Sequence, residues 1–112
     1  MATNTLAKGV VAEDIVDGVG IECPRGAIVT VHYRGTLKSN GKEFDSSFGG
    51  DPVKFPLNQL IEGWQIGIPG MKPGGKRTLT LPWNVGYGEH GAPPDIPGKA
   101  DLVFEIELIS FR

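Results

Sequence analysis

Residues 56–71, PLNQLIEGWQIGIPGM, form the one stretch of this chain whose apolar residues have the spacing of a helix. These residues recur three and four positions apart, which places them on one helical face. They are Leu57, Leu60, Ile61, Trp64 and Ile68. Pro56 precedes the run and Pro69 ends it, because proline has no amide hydrogen to donate inside a helix. The spacing therefore predicts a short helix over residues 56–71.

Two glycines weaken this helix. Gly63 and Gly67 each cost about 1 kcal/mol relative to alanine, so the helix would not be stable without packing partners. Glycine also lets a second surface come close. We therefore expect a helix that is held by the structure around it, with Trp64 on the packed face.

Alternating apolar residues predict strands in most of the remaining chain. The predicted strands are residues 10–16, 28–37, 43–45, 76–81 and 101–111, and residues 53–57 are predicted to be extended and to lead into the helix. In the second of these, Tyr33 lies on the face that would point into the core. Asn40-Gly41 separates two strands and predicts a hairpin with a type I′ turn, in which both central residues need a positive φ.

The fold class follows from this single helix, which can bury its apolar face only against the apolar face of a sheet. We predict an α+β fold in which a twisted antiparallel sheet of about five strands wraps around one short α-helix. Residues 1–8 are small and polar and are predicted to be a flexible N-terminal segment. Residues 9–112 would form one domain, as the chain length of 112 residues suggests.

Composition and charge exclude several classes of function. The formal net charge is −2, from 11 basic and 13 acidic residues, and no basic stripe is present, which argues against a nucleic-acid partner. Cys23 is the only cysteine, so no internal disulfide can form and an oxidising compartment is not expected. No signal-like segment and no apolar run approaching about 18 residues is present, so we expect a cytoplasmic protein without a membrane partner.

Some residues resemble catalytic or metal motifs but fail on spacing. Residues 70–77, GMKPGGKR, nearly match a phosphate-binding P-loop, but Arg77 stands where the motif needs serine or threonine, and a strand follows where it needs a helix. His32, His90 and Cys23 have no second ligand at zinc spacing. We therefore expect neither a metal nor a cofactor.

Aromatic residues are concentrated on the faces predicted to point inward. They are Tyr33, Phe44, Phe55, Trp64 and Phe104. A packed core accounts for part of this pattern. However, Asp45 follows one of these aromatics and Tyr87 lies in the long loop over residues 82–99, so the pattern also fits an apolar pocket with a few polar groups at its lip.

Several short motifs occur in order along residues 10–111. They are Val31-His32-Tyr33-x-Gly35, Gly41-Lys42-x-Phe44-Asp45-Ser46-Ser47, Leu60-Ile61-x-Gly63-Trp64, Gly67, Met71, Gly74, Tyr87-Gly88 and Leu102-Val103-Phe104-x-Ile106-x-Leu108. Together they resemble the FK506-binding proteins (FKBPs), a family of peptidyl-prolyl cis–trans isomerases. The resemblance implies the fold predicted above, with the helix as the floor of a shallow apolar cleft.

The resemblance also implies a role for each matching residue. Trp64 would form the base of a proline pocket, Asp45 would lie near the twisting amide, and Gly63 would keep the helix slim beside the indole. The Ile61 amide and the Tyr87 hydroxyl would donate hydrogen bonds to peptide carbonyls. The implied catalytic residues are Asp45, Tyr87, Trp64 and Phe104. The implied ligand-binding residues are Tyr33, Phe44, Phe55, Leu60, Ile61, Val53 and Ile96.

The sequence departs from the family pattern at the rim of this cleft. The loop over residues 48–51 lacks the basic residues common in the family and is shorter, so Asp45 would have no arginine partner. Val53 replaces a pocket-wall aromatic, and Asp95 stands beside Ile96 where an apolar residue is usual. These changes affect the surface that contacts macrolides and not the floor.

The leading interpretation is an isomerase that acts on X-Pro bonds in polypeptides. The resemblance adds macrolides such as rapamycin and tacrolimus as further ligands, and a monomer as the expected state. The alternative is a non-catalytic module that binds a proline motif or a macrolide in the same pocket. A small nucleic-acid-binding barrel would need a basic surface that the charge count does not supply.

Overall fold

The computed structural model describes residues 2–112, which form seven strands and one short α-helix. The strands are β1 (Ala2–Thr5), β2 (Val11–Val16), β3 (Ile28–Leu37), β4 (Glu43–Ser46), β5 (Val53–Pro56), β6 (Lys76–Leu81) and β7 (Leu102–Phe111). The helix α1 spans Glu62–Gly67. Single 3₁₀ turns lie at Ala7–Gly9, Leu57–Gln59 and Trp83–Val85.

All seven strands belong to one antiparallel sheet in the order β1-β2-β6-β7-β3-β4. β5 pairs with β3 on the same side as β4. The apolar residues of β6, β7 and β3 pack against α1 in one core. The predicted fold class is confirmed, with more strands than predicted.

β1 is the main element that the sequence did not reveal. Ala2–Thr5 pairs with β2, where we predicted a flexible segment over residues 1–8; Met1 lies outside the described residues. All four residues of β1 are exposed, so the strand has no buried face to produce apolar alternation. Lys8 then forms an ion pair with Glu62, which links the N-terminal segment to the start of α1.

The hairpin between β3 and β4 is present, but the predicted turn type is wrong. Only Gly41 in this turn has a positive φ, of 73°, whereas a type I′ turn needs two such residues. The chain instead makes a longer loop, closed by a hydrogen bond of 2.9 Å from the Leu37 amide to the Lys42 carbonyl. The Asn40 side chain stabilises this loop by accepting a hydrogen bond of 2.9 Å from the Lys42 amide.

The helix is shorter than predicted. Leu60 and Ile61 have extended ψ angles of 171° and 148°, so the apolar run over residues 56–71 is divided into a 3₁₀ turn and α1. The two helical glycines face the sheet: a Cβ added at Gly63 would lie 2.5 Å from Leu81 Cδ1, and one added at Gly67 would lie 2.5 Å from Leu79 Cδ1. Gly63 therefore lets α1 approach β6, and the role we assigned to it beside the indole is wrong.

Arg77 fixes the other end of α1. Its Nε donates a hydrogen bond of 2.6 Å to Asp14 Oδ1, and its Nη1 donates to the carbonyls of Gly67 and Pro69 at 2.8 and 3.2 Å. A cation at the C-terminus of a helix satisfies carbonyls that have no helical partner. The segment over residues 70–77 is thus a turn into β6 whose last residue holds the helix.

No helix in residues 2–112 is long and apolar enough to cross a membrane. Within the same residues, no group of three or more His, Cys, Asp or Glu side chains is placed to hold a metal ion.

Candidate active site

A cleft of about 380 Å³ lies above α1, and Trp64 forms its floor. The lining residues are Tyr33, Asp45, Phe55, Gln59, Leu60, Ile61, Trp64, Tyr87 and Phe104. They come from β3, β4, β5, the turn before α1, α1 itself, the loop after β6, and β7. Residues distant in the sequence therefore meet at this one place.

Three aromatic rings surround the indole of Trp64. The ring of Tyr33 lies 5.3 Å from the indole at 77°, that of Phe55 lies 5.8 Å away at 84°, and that of Phe104 lies 5.3 Å away at 87°. Edge-to-face contacts of this kind are favourable and hold each ring in a fixed orientation. The three rings act as walls and the indole as a flat apolar floor.

The indole nitrogen of Trp64 is unusual for a buried polar atom. The residue is only 4% exposed, and its Nε1 has no hydrogen-bond partner among residues 2–112. Buried polar groups normally have a partner. The Trp64 indole is thus held by its contacts with the surrounding rings and not by a hydrogen bond from Nε1.

Asp45 is the charged group of the cleft. It accepts a hydrogen bond of 2.7 Å from the Tyr33 hydroxyl and one of 2.9 Å from the Ser46 amide. None of the ion pairs within residues 2–112 includes Asp45, and Arg34 is bound to Glu43 and Glu105 instead. Tyr33 therefore orients the carboxylate that has no arginine partner.

A β-bulge explains how the side chains of the consecutive residues Phe44 and Asp45 can both lie on the cleft side of β4. Consecutive strand residues normally point to opposite faces. Here Asp45 pairs with Gly35 and Glu43 with Thr36, so Phe44 is an extra residue in β4. Bulges of this kind redirect a side chain. The Phe44 ring contacts Tyr87 and Phe104 while Asp45 lines the cleft.

The main chain adds a free donor at the rim. The extended conformation of Leu60 and Ile61 leaves the Ile61 amide, just before α1, without an acceptor among residues 2–112. A free amide at this position can donate a hydrogen bond to a peptide carbonyl. The Tyr87 hydroxyl lies on another part of the same lining.

Both tyrosines of the cleft have a pKa above the ordinary value for a phenol. Burial, followed by the hydrogen bond to Asp45 and the charge of that carboxylate, raises the pKa of Tyr33 to about 12. Burial first, and the charge of Asp45 second, also raise the pKa of Tyr87. The two phenols therefore remain neutral donors throughout the physiological pH range.

We expect the folded protein to show less tyrosinate absorbance at about pH 10 than the unfolded protein, in which a tyrosine is half ionised there. Both pKa values are higher in the folded state, so the stability that these phenols contribute is complete below about pH 10 and is lost as the pH rises through the folded values. An alkaline absorbance titration measures this, with the same protein in concentrated urea as the control. A folded Tyr87→Phe variant that titrates near pH 10 would contradict the assignment for Tyr33.

The structure brings together eight of the eleven residues proposed from the sequence. They are Asp45, Tyr87, Trp64, Phe104, Tyr33, Phe55, Leu60 and Ile61. Phe44 instead lies behind the lining, edge-on to Tyr87 at 6.5 Å and to Phe104 at 5.6 Å. Val53 pairs with Val31 at the start of β5, and Ile96 is 5% exposed in the core, where it closes the long loop by hydrogen bonds with Ala92.

Gln59 lines the cleft and was not found from the sequence. It lies in the 3₁₀ turn before α1, next to Leu60. On a continuous helix it would lie off the apolar face, so only the break before α1 could have indicated its position.

Size alone does not single out this cleft. A hollow of about 450 Å³ near Lys8, Arg25 and Glu62 is larger, and one of about 210 Å³ lies between Ile15 and Phe48. The first has no aromatic side chain in its lining, and the second has a single aromatic, the exposed Phe48. Of these three sites, the cleft over Trp64 is the one that combines converging aromatic rings with a few oriented polar groups, which is the usual character of a ligand site.

Comparison with known proteins identifies the family of this chain. Residues 20–109 match the sequence model of the FKBP-type peptidyl-prolyl cis-trans isomerases. The chain belongs to this family. The FK506-binding protein of Neisseria meningitidis serogroup B is 48% identical over 104 residues, which are 90% of this chain and 94% of that protein. The family membership and the FKBP resemblance of the motifs are thereby confirmed.

The relatives differ in length. FK506-binding protein 4 of Rhizopus delemar is 47% identical over 109 residues, which are 96% of this chain but only 28% of that protein. Among solved structures, a peptidyl-prolyl cis-trans isomerase of Pseudomonas syringae pv. tomato superimposes with a TM-score of 0.89 at 36% identity, over 97% of this chain and 80% of that one. The fold of this FKBP-type chain is thus shared with both short and long members.

Proposed function

We propose that this FKBP-type protein accelerates the cis–trans isomerisation of X-Pro bonds in polypeptides. The observation that carries the proposal is the floor of Trp64 enclosed by three nearly perpendicular aromatic rings, with Asp45 and Tyr87 on the same lining. The family membership supports it.

The reaction needs no nucleophile, because no bond is made or cut. Rotation about a peptide bond is opposed by resonance, with a barrier of about 18–20 kcal/mol. X-Pro bonds therefore isomerise in about tens to hundreds of seconds without a catalyst. A catalyst needs only to bind the twisted amide more tightly than the planar one.

The cleft offers three ways to achieve this preference. The proline ring would rest on Trp64 between the aromatic walls, where low polarity disfavours the charge separation of the planar amide. The Ile61 amide and the Tyr87 hydroxyl would hold flanking carbonyls and fix the chain on one side of the rotating bond. Asp45, oriented by Tyr33, would complement the changed dipole of the twisted amide.

We expect the protein to increase the cis-to-trans rate of an X-Pro peptide in proportion to its concentration. Tyr87→Phe should lower kcat/KM by about 2–10-fold, the effect of one lost hydrogen bond. The assay is the relaxation of a chromogenic X-Pro peptide after a solvent jump. Full activity in Tyr87→Phe would exclude the hydroxyl from the mechanism.

The same assay separates catalysis from binding alone. Rapamycin or tacrolimus, if it occupies the cleft, should abolish the acceleration and change the fluorescence of Trp64. Binding with no acceleration by the native protein would reject the enzyme and support the non-catalytic module.

A monomeric, cytoplasmic protein is part of this proposal. The single cysteine, Cys23, is buried and free, which suits a reducing compartment. Sedimentation of the native protein tests the monomer, and fractionation of the source cells tests the compartment.

A further inference from the structure

Gly35 is a buried glycine in β3 whose backbone conformation does not require glycine. Its φ is not among the positive values found in residues 2–112, so an alanine could adopt the same backbone. What excludes a side chain is space. A Cβ added here would lie 2.6 Å from Phe44 Cζ and 2.7 Å from Phe104 Cε1, closer than carbon atoms approach.

The two rings that occupy this space belong to the cleft or support it. Gly35 pairs with Phe104 on β7 and with Asp45 on β4, so it lies between two strands that supply cleft residues. The Phe44 and Phe104 rings meet edge-to-face at 5.6 Å and 90° over it. The aromatic pair therefore occupies the space that a side chain at Gly35 would need.

This pair is in contact with both the floor and the lip of the cleft. Phe104 contacts the Trp64 indole at 5.3 Å and 87°, and Phe44 contacts the Tyr87 ring at 6.5 Å and 87°. Protein interiors are close-packed, so a displaced ring displaces its neighbours. A change at Gly35 would reach the indole on one side and the phenol on the other.

We propose that Gly35 is a positioning residue of the cleft. Because it has no side chain, the Phe44 and Phe104 rings can pack together over it. This packing holds Phe104 against Trp64 and Phe44 against Tyr87. Gly35 lies behind the lining and acts only through these rings. The inference rests on the proposed isomerase function for its catalytic consequence. Its structural part can be tested without activity.

The test is Gly35→Ala, with two readouts. An added methyl group forces the rings to move by about 1 Å, and a misplacement of this size can cost about 100-fold in rate, so we expect kcat/KM to fall by at least about 10-fold. In a Trp83→Phe background, where Trp64 is the only tryptophan, quenching by acrylamide should increase because the wall no longer covers the indole.

Leu108→Ala is the control for simple loss of stability. Leu108 is fully buried in β7 but pairs with Val31, outside the cleft lining. At a temperature where all variants are folded, its kcat/KM and Trp64 quenching should stay near the native values. If folded Gly35→Ala keeps native kcat/KM and native quenching of Trp64, the proposal is overturned. A fall in kcat/KM without a change in quenching also overturns it.

A double-variant cycle tests ring overlap as the cause. Phe44→Leu removes Cζ and Cε1, the two Phe44 atoms closest to the added Cβ. Gly35→Ala should therefore have a smaller effect on quenching and thermal stability in the Phe44→Leu background. If Gly35→Ala alone does not fold, a folded double variant supports the proposal, and an unfolded one overturns the assignment of Phe44 as the ring that excludes a side chain. If the native protein is inactive, the proposed function fails, while the quenching cycle still decides the role of Gly35.

Discussion

Arg77→Ala should lower the free energy of unfolding by about 3–5 kcal/mol, because it leaves the largely buried Asp14 carboxylate without its partner. The Arg77 and Asp14 side chains are only 11% and 20% exposed. The substitution also removes the donor to the Gly67 and Pro69 carbonyls, so the C-terminus of α1 loses its cap. Urea unfolding, followed by circular dichroism, measures the loss.

The chain provides a matched control in Arg34. This arginine also binds carboxylates, Glu43 and Glu105, but its side chain is 42% exposed. Exposed ion pairs contribute little to stability, so Arg34→Ala should have little effect. Arg77→Lys should recover only part of the loss, since one ammonium group cannot reproduce the fork that reaches both Asp14 and the helix. Equal losses in the two alanine variants would show that Arg77 does not hold α1.

Trp64→Ala should cost about 3–5 kcal/mol of stability and also remove the floor of the cleft. Because this loss approaches the total stability of a small domain, binding is better tested in Trp64→Leu, which keeps an apolar side chain. We expect its affinity for tacrolimus, or for a proline peptide if the macrolide does not bind, to fall by at least about 10-fold, or about 1.4 kcal/mol. Calorimetric titration of ligand into each variant gives the dissociation constants.

The second tryptophan serves as the control. Trp83 is half-buried, lies outside the cleft lining and has the Lys99 ammonium 5.8 Å from its ring. Trp83→Leu should change the affinity by less than about twofold, as expected for a substitution away from the site. Native affinity in Trp64→Leu would mean that the ligand does not rest on the indole.

The cleft walls could be predicted from the sequence because they depend on local rules. Alternation along β3 and β7 correctly placed Tyr33 and Phe104 inward, and helical spacing placed Trp64 on the packed face. These rules use only neighbouring residues, so they hold before the strands are assembled.

The errors arise where a distant part of the chain decides the local structure. β1 exists because it pairs with β2, and Gly63 is small because Leu81 lies above it. The bulge at Phe44 depends on the register between β3 and β4, and the core position of Ile96 depends on how its loop closes. A single sequence contains no signal for such pairings, so Gln59 was missed, and Val53 and Ile96, which we expected in the cleft, lie outside its lining.

The central position of β7 has a consequence for synthesis. A ribosome releases the chain in order, so β3 and β6 appear long before β7, the strand that must lie between them. Until then β3 can pair only with β4 and β5, and β6 only with β2, so the two halves of the sheet are not joined and Phe104 has not yet reached the indole. Small domains fold as units, so the sheet closes only after β7 has left the exit tunnel. The nascent chain thus exposes apolar residues of this core until β7 has emerged.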